Sequence, residues 1–164
     1  MEETYYPLFS EILDRVHKAK TKDKKVEILQ KYKSDALKMF LKSAFDPNIQ
    51  WVFPEGNVPY TPNDSPAGTD HTLLIQESKK LWRFIKGADN VTKQAQKENM
   101  FFQMLEGLHE SEAKLLINAK DKKLHQIYKG LSSNVVREAF GWNEDFKVDE
   151  YPQAGRSASG LVAG

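Results

Sequence analysis

From Leu8 to Phe140, apolar side chains recur three and four residues apart in short runs, most of which stop at Gly, Pro or a residue able to cap a helix. That spacing gathers apolar residues on one face of a helix, whereas a half-buried strand would alternate them. The expected fold is therefore all-α, a compact bundle of about seven to eight helices. A first helix is expected from about Tyr6 to Ala19, with Leu8, Phe9, Ile12, Leu13 and Val16 inward. Thr21 or Asp23 can cap a second, burying Val26, Ile28, Leu29 and Tyr32, and Ser34-Asp35 separates it from a third with Leu37, Phe40, Leu41 and Ala44 inward. Thr69 or Asp70 can cap a fourth, running to about Lys86 with Leu73, Leu74, Leu81, Trp82 and Ile85 apolar and Gly87 just past its end. Further helices follow from about Thr92 through Leu108, from Ser111 through Ile117, around Lys122–Tyr128, and from Ser132 or Ser133 to Gly141.

One segment breaks the pattern. Residues 46–69 hold five of the seven prolines together with Trp51, Phe53 and Tyr60. They predict a long irregular loop, with a short extended piece at Ile49–Phe53, packed across the bundle by its aromatics. Residues 1–150 are expected to form a single helical domain and the Pro-, Gly- and Ser-rich residues 151–164 a flexible tail. With no apolar run of about 20 residues and no basic, apolar leader, neither a membrane span nor a signal peptide is expected. The absence of cysteine removes disulfides and thiolate chemistry and fits a cytoplasmic protein.

Chemistry is sparse. No phosphate-binding glycine loop, dinucleotide turn or nucleophile elbow is present. Asp14-x-x-His17 and Glu106-x-x-His109 each put a carboxylate and an imidazole on one helical face, as dimetal bundles do, but the first uses Asp and no further pair of glutamates stands out. Two solvated helix faces explain them better. The expectation is a non-catalytic protein with neither metal nor cofactor.

Charge is more informative than its total of +1. Basic residues dominate Arg15 to Lys42, Lys79 to Lys97 and Lys114 to Lys129, while residues 1–14, 46–78 and 98–113 contain no Lys or Arg. Each basic block surrounds a junction between helices: Lys20, Lys22, Lys24 and Lys25 at the first, Lys86 and Lys93 at the second, Lys120, Lys122 and Lys123 at the third. Helix starts offer free N–H groups and a positive dipole end, and lysines beside them add charge without reading bases. Thr21, Asn90 and Thr92 would contribute hydrogen bonds there. Together these twelve residues predict a sequence-tolerant grip on the backbone of double-stranded DNA. An alternative is an adaptor that docks a protein partner on Trp51, Phe53 and Tyr60 of the loop, helped by the acidic stretch Glu144–Glu150.

The stretch "AKTKDKKVEILQKYKSDALKMFLKSAFDPNIQW", Ala19–Trp51, resembles the opening of the N-terminal helical domain of T4-type ATP-dependent DNA ligases. "LWRFIKGADNVTKQAQKENMFFQML", Leu81–Leu105, resembles that domain's helix–loop–helix, and "LLINAKDKKLHQIYKGLSSNVV", Leu115–Val136, its closing segment. Through "FDPNIQWVFPEG", "PAGTDHTLL" and "MLEGLHESEAKLLINAKDK" the chain also resembles a small protein family of T4-like phages, cyanophages included. The ligase resemblance implies a helical clamp on duplex phosphates, not ligation, because the nucleotidyl-transfer motif Lys-x-Asp-Gly is absent. The phage-family resemblance brings no function with it; taken with the ligase resemblance, the expectation is a stand-alone DNA-binding domain acting in the host-cell cytoplasm in phage DNA replication, repair or recombination, beside other replication or repair proteins.

Overall fold

A computed structural model of the chain describes residues 7–56, 58–63 and 71–148. Among these are eight α-helices: α1 (Phe9–Lys18), α2 (Lys22–Lys31), α3 (Asp35–Phe45), α4 (Leu74–Glu77), α5 (Gln94–Gly107), α6 (Glu110–Lys120), α7 (Leu124–Ile127) and α8 (Ser133–Phe140), with a 3₁₀ segment at Ser78–Phe84. The described residues form isolated β-bridges but no sheet. The all-α architecture follows from the capping chemistry already legible in the chain. The hydroxyls of Thr21, Ser34 and Ser132 accept the amides of Lys24, Leu37 and Val135 and start α2, α3 and α8. Gly141, at φ +69°, ends α8 in the left-handed conformation that a side chain would strain.

One core runs through the described residues. Phe9, Ile12, Leu13, Leu29, Leu37, Phe40, Leu41, Leu105 and Leu116 have no exposed surface. These are the residues that the helical spacing turns inward. Helix α2 packs against both α1 and α8, and α3 lies against α6 and the 3₁₀ segment.

The fourth helix departs from expectation. Its proposed caps Thr69 and Asp70 lie outside the described residues, as does the proposed tail at 151–164. Residues 71–73 are not helical, and α4 begins at Leu74, whose amide donates to the carboxylate of Glu112 at 3.1 Å. From Ser78 the backbone tightens to three residues per turn, which stacks Ser78, Leu81 and Phe84 on one side. All three are buried, while Trp82, another of the apolar residues of this run, stands 42 % exposed. The apolar positions suit a three-residue period here better than 3.6.

The described part of the proline-rich segment, 46–56 and 58–63, does pack across the bundle. Trp51 pairs with Ile85 in an antiparallel bridge, flanked by hydrogen bonds from Val52 N to Phe84 O (2.9 Å) and from Lys86 N to Gln50 O (2.7 Å). The Trp51 indole donates to Ser43 O at 3.0 Å, and Phe53 stacks on Phe101 with centroids 4.6 Å apart. Farther along, the Thr61 amide donates to Glu106 at 3.1 Å. No helix among the described residues is long and apolar enough to cross a membrane.

Candidate nucleic-acid interface

The first basic turn joins α1 to α2. Lys20 and Lys24 project into solvent, and Lys22 pairs with Glu138 of α8 at 2.9 Å. Thr21 spends its oxygen on the α2 cap. Lys25 is turned the other way: its ammonium donates to Ala19 O and Val16 O, closing the last carbonyls of α1. Gly130 lies directly on that contact. A Cβ there would sit 2.7 Å from Lys25 Nζ and 3.1 Å from His17 O, so a side chain at this turn would displace the Lys25 ammonium and crowd the end of α1.

The second turn, between the 3₁₀ segment and α5, is organised by Asp89. Its Oδ1 accepts the amides of Val91 (3.0 Å) and Thr92 (3.1 Å), and its Oδ2 meets Arg83 at 3.3 Å. The backbone oxygen of Asp89 accepts the buried ammonium of Lys97 at 2.6 Å. The Thr92 hydroxyl, then the Thr92 and Val91 amides, hold the Asp89 carboxyl well below the usual carboxylate range. A depressed value means that this carboxylate stabilises the fold above about pH 4, and that the contribution is lost as pH falls through the folded-state value. Asp89→Asn should therefore melt lower at pH 7 and lose less on acidification, as thermal melts from pH 7 to pH 3 would register. Lys86, Asn90 and Lys93 remain exposed around this turn, whereas Thr92 also faces Arg83 at 3.3 Å. Helix α5 begins at Gln94 after Lys93, which provides no side-chain cap, and has no acid in its first turn, leaving its first amides without intrahelical acceptors.

The third turn differs from what its sequence promised. The Lys120 side chain is wholly buried, and its ammonium donates to Pro54 O (2.7 Å), Gly56 O (3.2 Å) and Asp121 (2.5 Å). Lys122 donates to Ser43 O and Asp46 O, both at 2.8 Å, capping the C-terminal end of α3, and burial pulls its ammonium down to about 8. Lys123 pairs with Glu55 at 2.5 Å. These amines fasten the proline-rich loop because its carbonyls, and those at the end of α3, find no helical partner. Lys120 and Lys25 therefore have no ammonium to offer a phosphate.

The third turn runs directly into the four-residue α7, whose start at Lys123 has no side-chain cap; the next helix start along the chain, that of α8, is not among the residues that the lysine pattern singled out. Ser132 caps it, its first turn holds no acid, and the Ser133 and Asn134 amides have no intrahelical acceptor. The signal was present: Gly130, then two serines and an asparagine ahead of Val135 and Val136, with no carboxylate before Glu138. Ser132 and Ser133 share the rim of a cleft of about 690 Å³ with Lys122, His125, Glu55 and Gln50.

Contacts link the three turns in series. Gly130, beside Lys25, leads to Ser132 on the cleft; Lys120 in the cleft holds Pro54; and Gln50 on the same loop accepts the amide of Lys86. The residues weighed as metal ligands are engaged otherwise. Asp14 pairs with Lys18, the His17 Nδ1 accepts the Gly130 amide, and His109 caps α6 through Ser111 N. The aromatics of the adaptor reading are packed inward: Trp51 is 8 % exposed, and Phe53 and Tyr60 lie against the core.

No curated protein and no solved structure matches the chain. The model of one protein family matches residues 12–126, a span that begins within α1 and includes all three basic turns. The chain accordingly belongs to DUF6433, a family of unknown function.

Proposed function

We propose that the chain is a non-catalytic DNA-binding protein that grips the backbone of duplex DNA with little sequence preference, in phage DNA replication, repair or recombination. Lys20, Lys22 and Lys24 serve the first contact, and Lys86, Asn90 and Lys93 the second. The amides of Ser133 and Asn134, with Lys123, serve the third. One observation carries the reading: the first turns of α5 and α8 hold no acid, and both helix starts lie near lysines on a series of contacts that leads back to the first turn. Anions are favoured at such ends by free amides and by the helix dipole. The resemblance to the ligase clamp points the same way, since that domain also holds phosphates at its helix turns.

Fluorescence anisotropy with a labelled duplex tests it. Affinity should be nearly independent of sequence and fall about 10³-fold between roughly 50 and 200 mM salt, as about six phosphate contacts require. The double variant Lys86→Gln with Lys93→Gln should lower the slope of log affinity against log salt by about 2. Failure to bind any duplex at low salt would overturn the reading.

A further inference from the structure

A separate surface lies between α3 and the 3₁₀ segment. There a groove of about 360 Å³ is lined by Met39, Ile49, Leu81, Trp82, Ile85 and Trp142. Met39 is 41 % and Trp82 42 % exposed, among the few large apolar side chains that the described residues leave open to water. The three-residue period of the 3₁₀ segment produces this: it draws Leu81 and Phe84 under and rotates Trp82 out. The rim is basic. Lys38 and Lys42 of α3 line the groove, and neither forms an ion pair among the described residues. Lys42 lies 6.0 Å from the Trp142 ring, and the Arg83 guanidinium sits 4.6 Å over Trp82. The acid among the lining residues is Asp35, in the first turn of α3, where the helix dipole already answers its charge.

We propose that this groove docks an acidic, amphipathic segment of a partner protein. Its floor is aliphatic and indole carbon, which accepts Leu, Met or Phe side chains, and the lysines at its edge select Asp or Glu beside them. A stacked nucleobase fits less well. Arg83 already covers one face of Trp82, Trp142 already meets Phe140 at 5.0 Å and Phe146 at 6.0 Å, and Met39 and Ile49 offer no flat platform. The inference does not depend on the DNA reading, since it uses none of the residues assigned there.

The test is selection of displayed random peptides of about 15 residues, four turns of helix, on the full chain. Enriched peptides should carry apolar residues at three- and four-residue spacing with Asp or Glu among them. Trp82→Ala and Met39→Asp should each weaken them at least about tenfold, as loss of a central apolar anchor does. Lys38→Glu with Lys42→Glu should shift preference to peptides whose acids are replaced by Lys. Four results would overturn the proposal: no enrichment, enrichment of neutral or basic sequences, peptide binding that Trp82→Ala and Met39→Asp leave intact, or occupation of the groove by another ligand. The last would show as self-association, or as oligonucleotide binding, that Trp82→Ala abolishes.

Discussion

Replacing Lys120 by Met should destabilise the protein by about 3 kcal/mol, the loss expected when one member of a buried charged network is removed. Methionine fills the volume but supplies no donor. The carbonyls of Pro54 and Gly56 would then lie beside apolar carbon, and the Asp121 carboxylate would keep only the Gly56 amide at 3.2 Å among these contacts. Urea titration would measure the loss, and amide exchange would locate it, with protection falling first where the loop meets Phe84 and Lys86. Lys93→Met is the control. That side chain is exposed and holds no ion pair among the described residues, so its loss should stay within about 0.5 kcal/mol. Equal effects at the two positions would show that the Lys120 contacts do not hold the loop.

Glu112→Ala should be comparably damaging. This carboxylate, 1 % exposed, accepts the Phe9 amide at 2.9 Å and the Leu74 amide at 3.1 Å, so one side chain of α6 caps the starts of two other helices. Alanine leaves two buried amides without acceptors, at about 1–3 kcal/mol each, for an expected total of about 3 kcal/mol. Glutamine separates geometry from charge: its oxygen can serve one amide, but its NH₂ opposes the other. Burial pushes the Glu112 carboxyl above its ordinary 4.5, and the Leu74 and Phe9 amides oppose that rise without cancelling it. With the folded-state value raised, the stabilisation linked to protonation is complete below about pH 4.5 and disappears as pH rises through the folded-state value. The stability gap between the wild type and Glu112→Gln should therefore be widest in mild acid and narrow towards neutrality, which melts of both proteins across pH 4–8 would show.

Helix existence was legible because it rests on local rules. Thr21, Ser34 and Ser132 cap where a hydroxyl precedes an apolar run, and Leu37, Phe40 and Leu41 bury because their spacing matches the helix. The 3₁₀ turn at Ser78–Phe84 was not, since three- and four-residue periods differ little over seven residues and the choice falls to what Leu81 and Phe84 pack against. The basic turns were legible as charge but not as direction. Lys20 and Lys120 carry the same ammonium, yet one meets water and the other the bare carbonyls of Pro54 and Gly56, which lie 66 and 64 residues away in sequence. No pattern within a few residues of a lysine encodes that difference.

The double capping by Glu112 also bears on how the chain must assemble. The amide that it holds at Phe9 is 103 residues distant, and Gln30 reaches Ala139 across 109. Helical proteins usually fold fast because their contacts are local, and closures of this span raise the contact order and slow the search. A ribosome releasing the chain from its amino end would expose α1–α3 long before α6 emerges to complete them. Until then the apolar faces of the first helices have no lid, and that interval is where this protein is most vulnerable to aggregation.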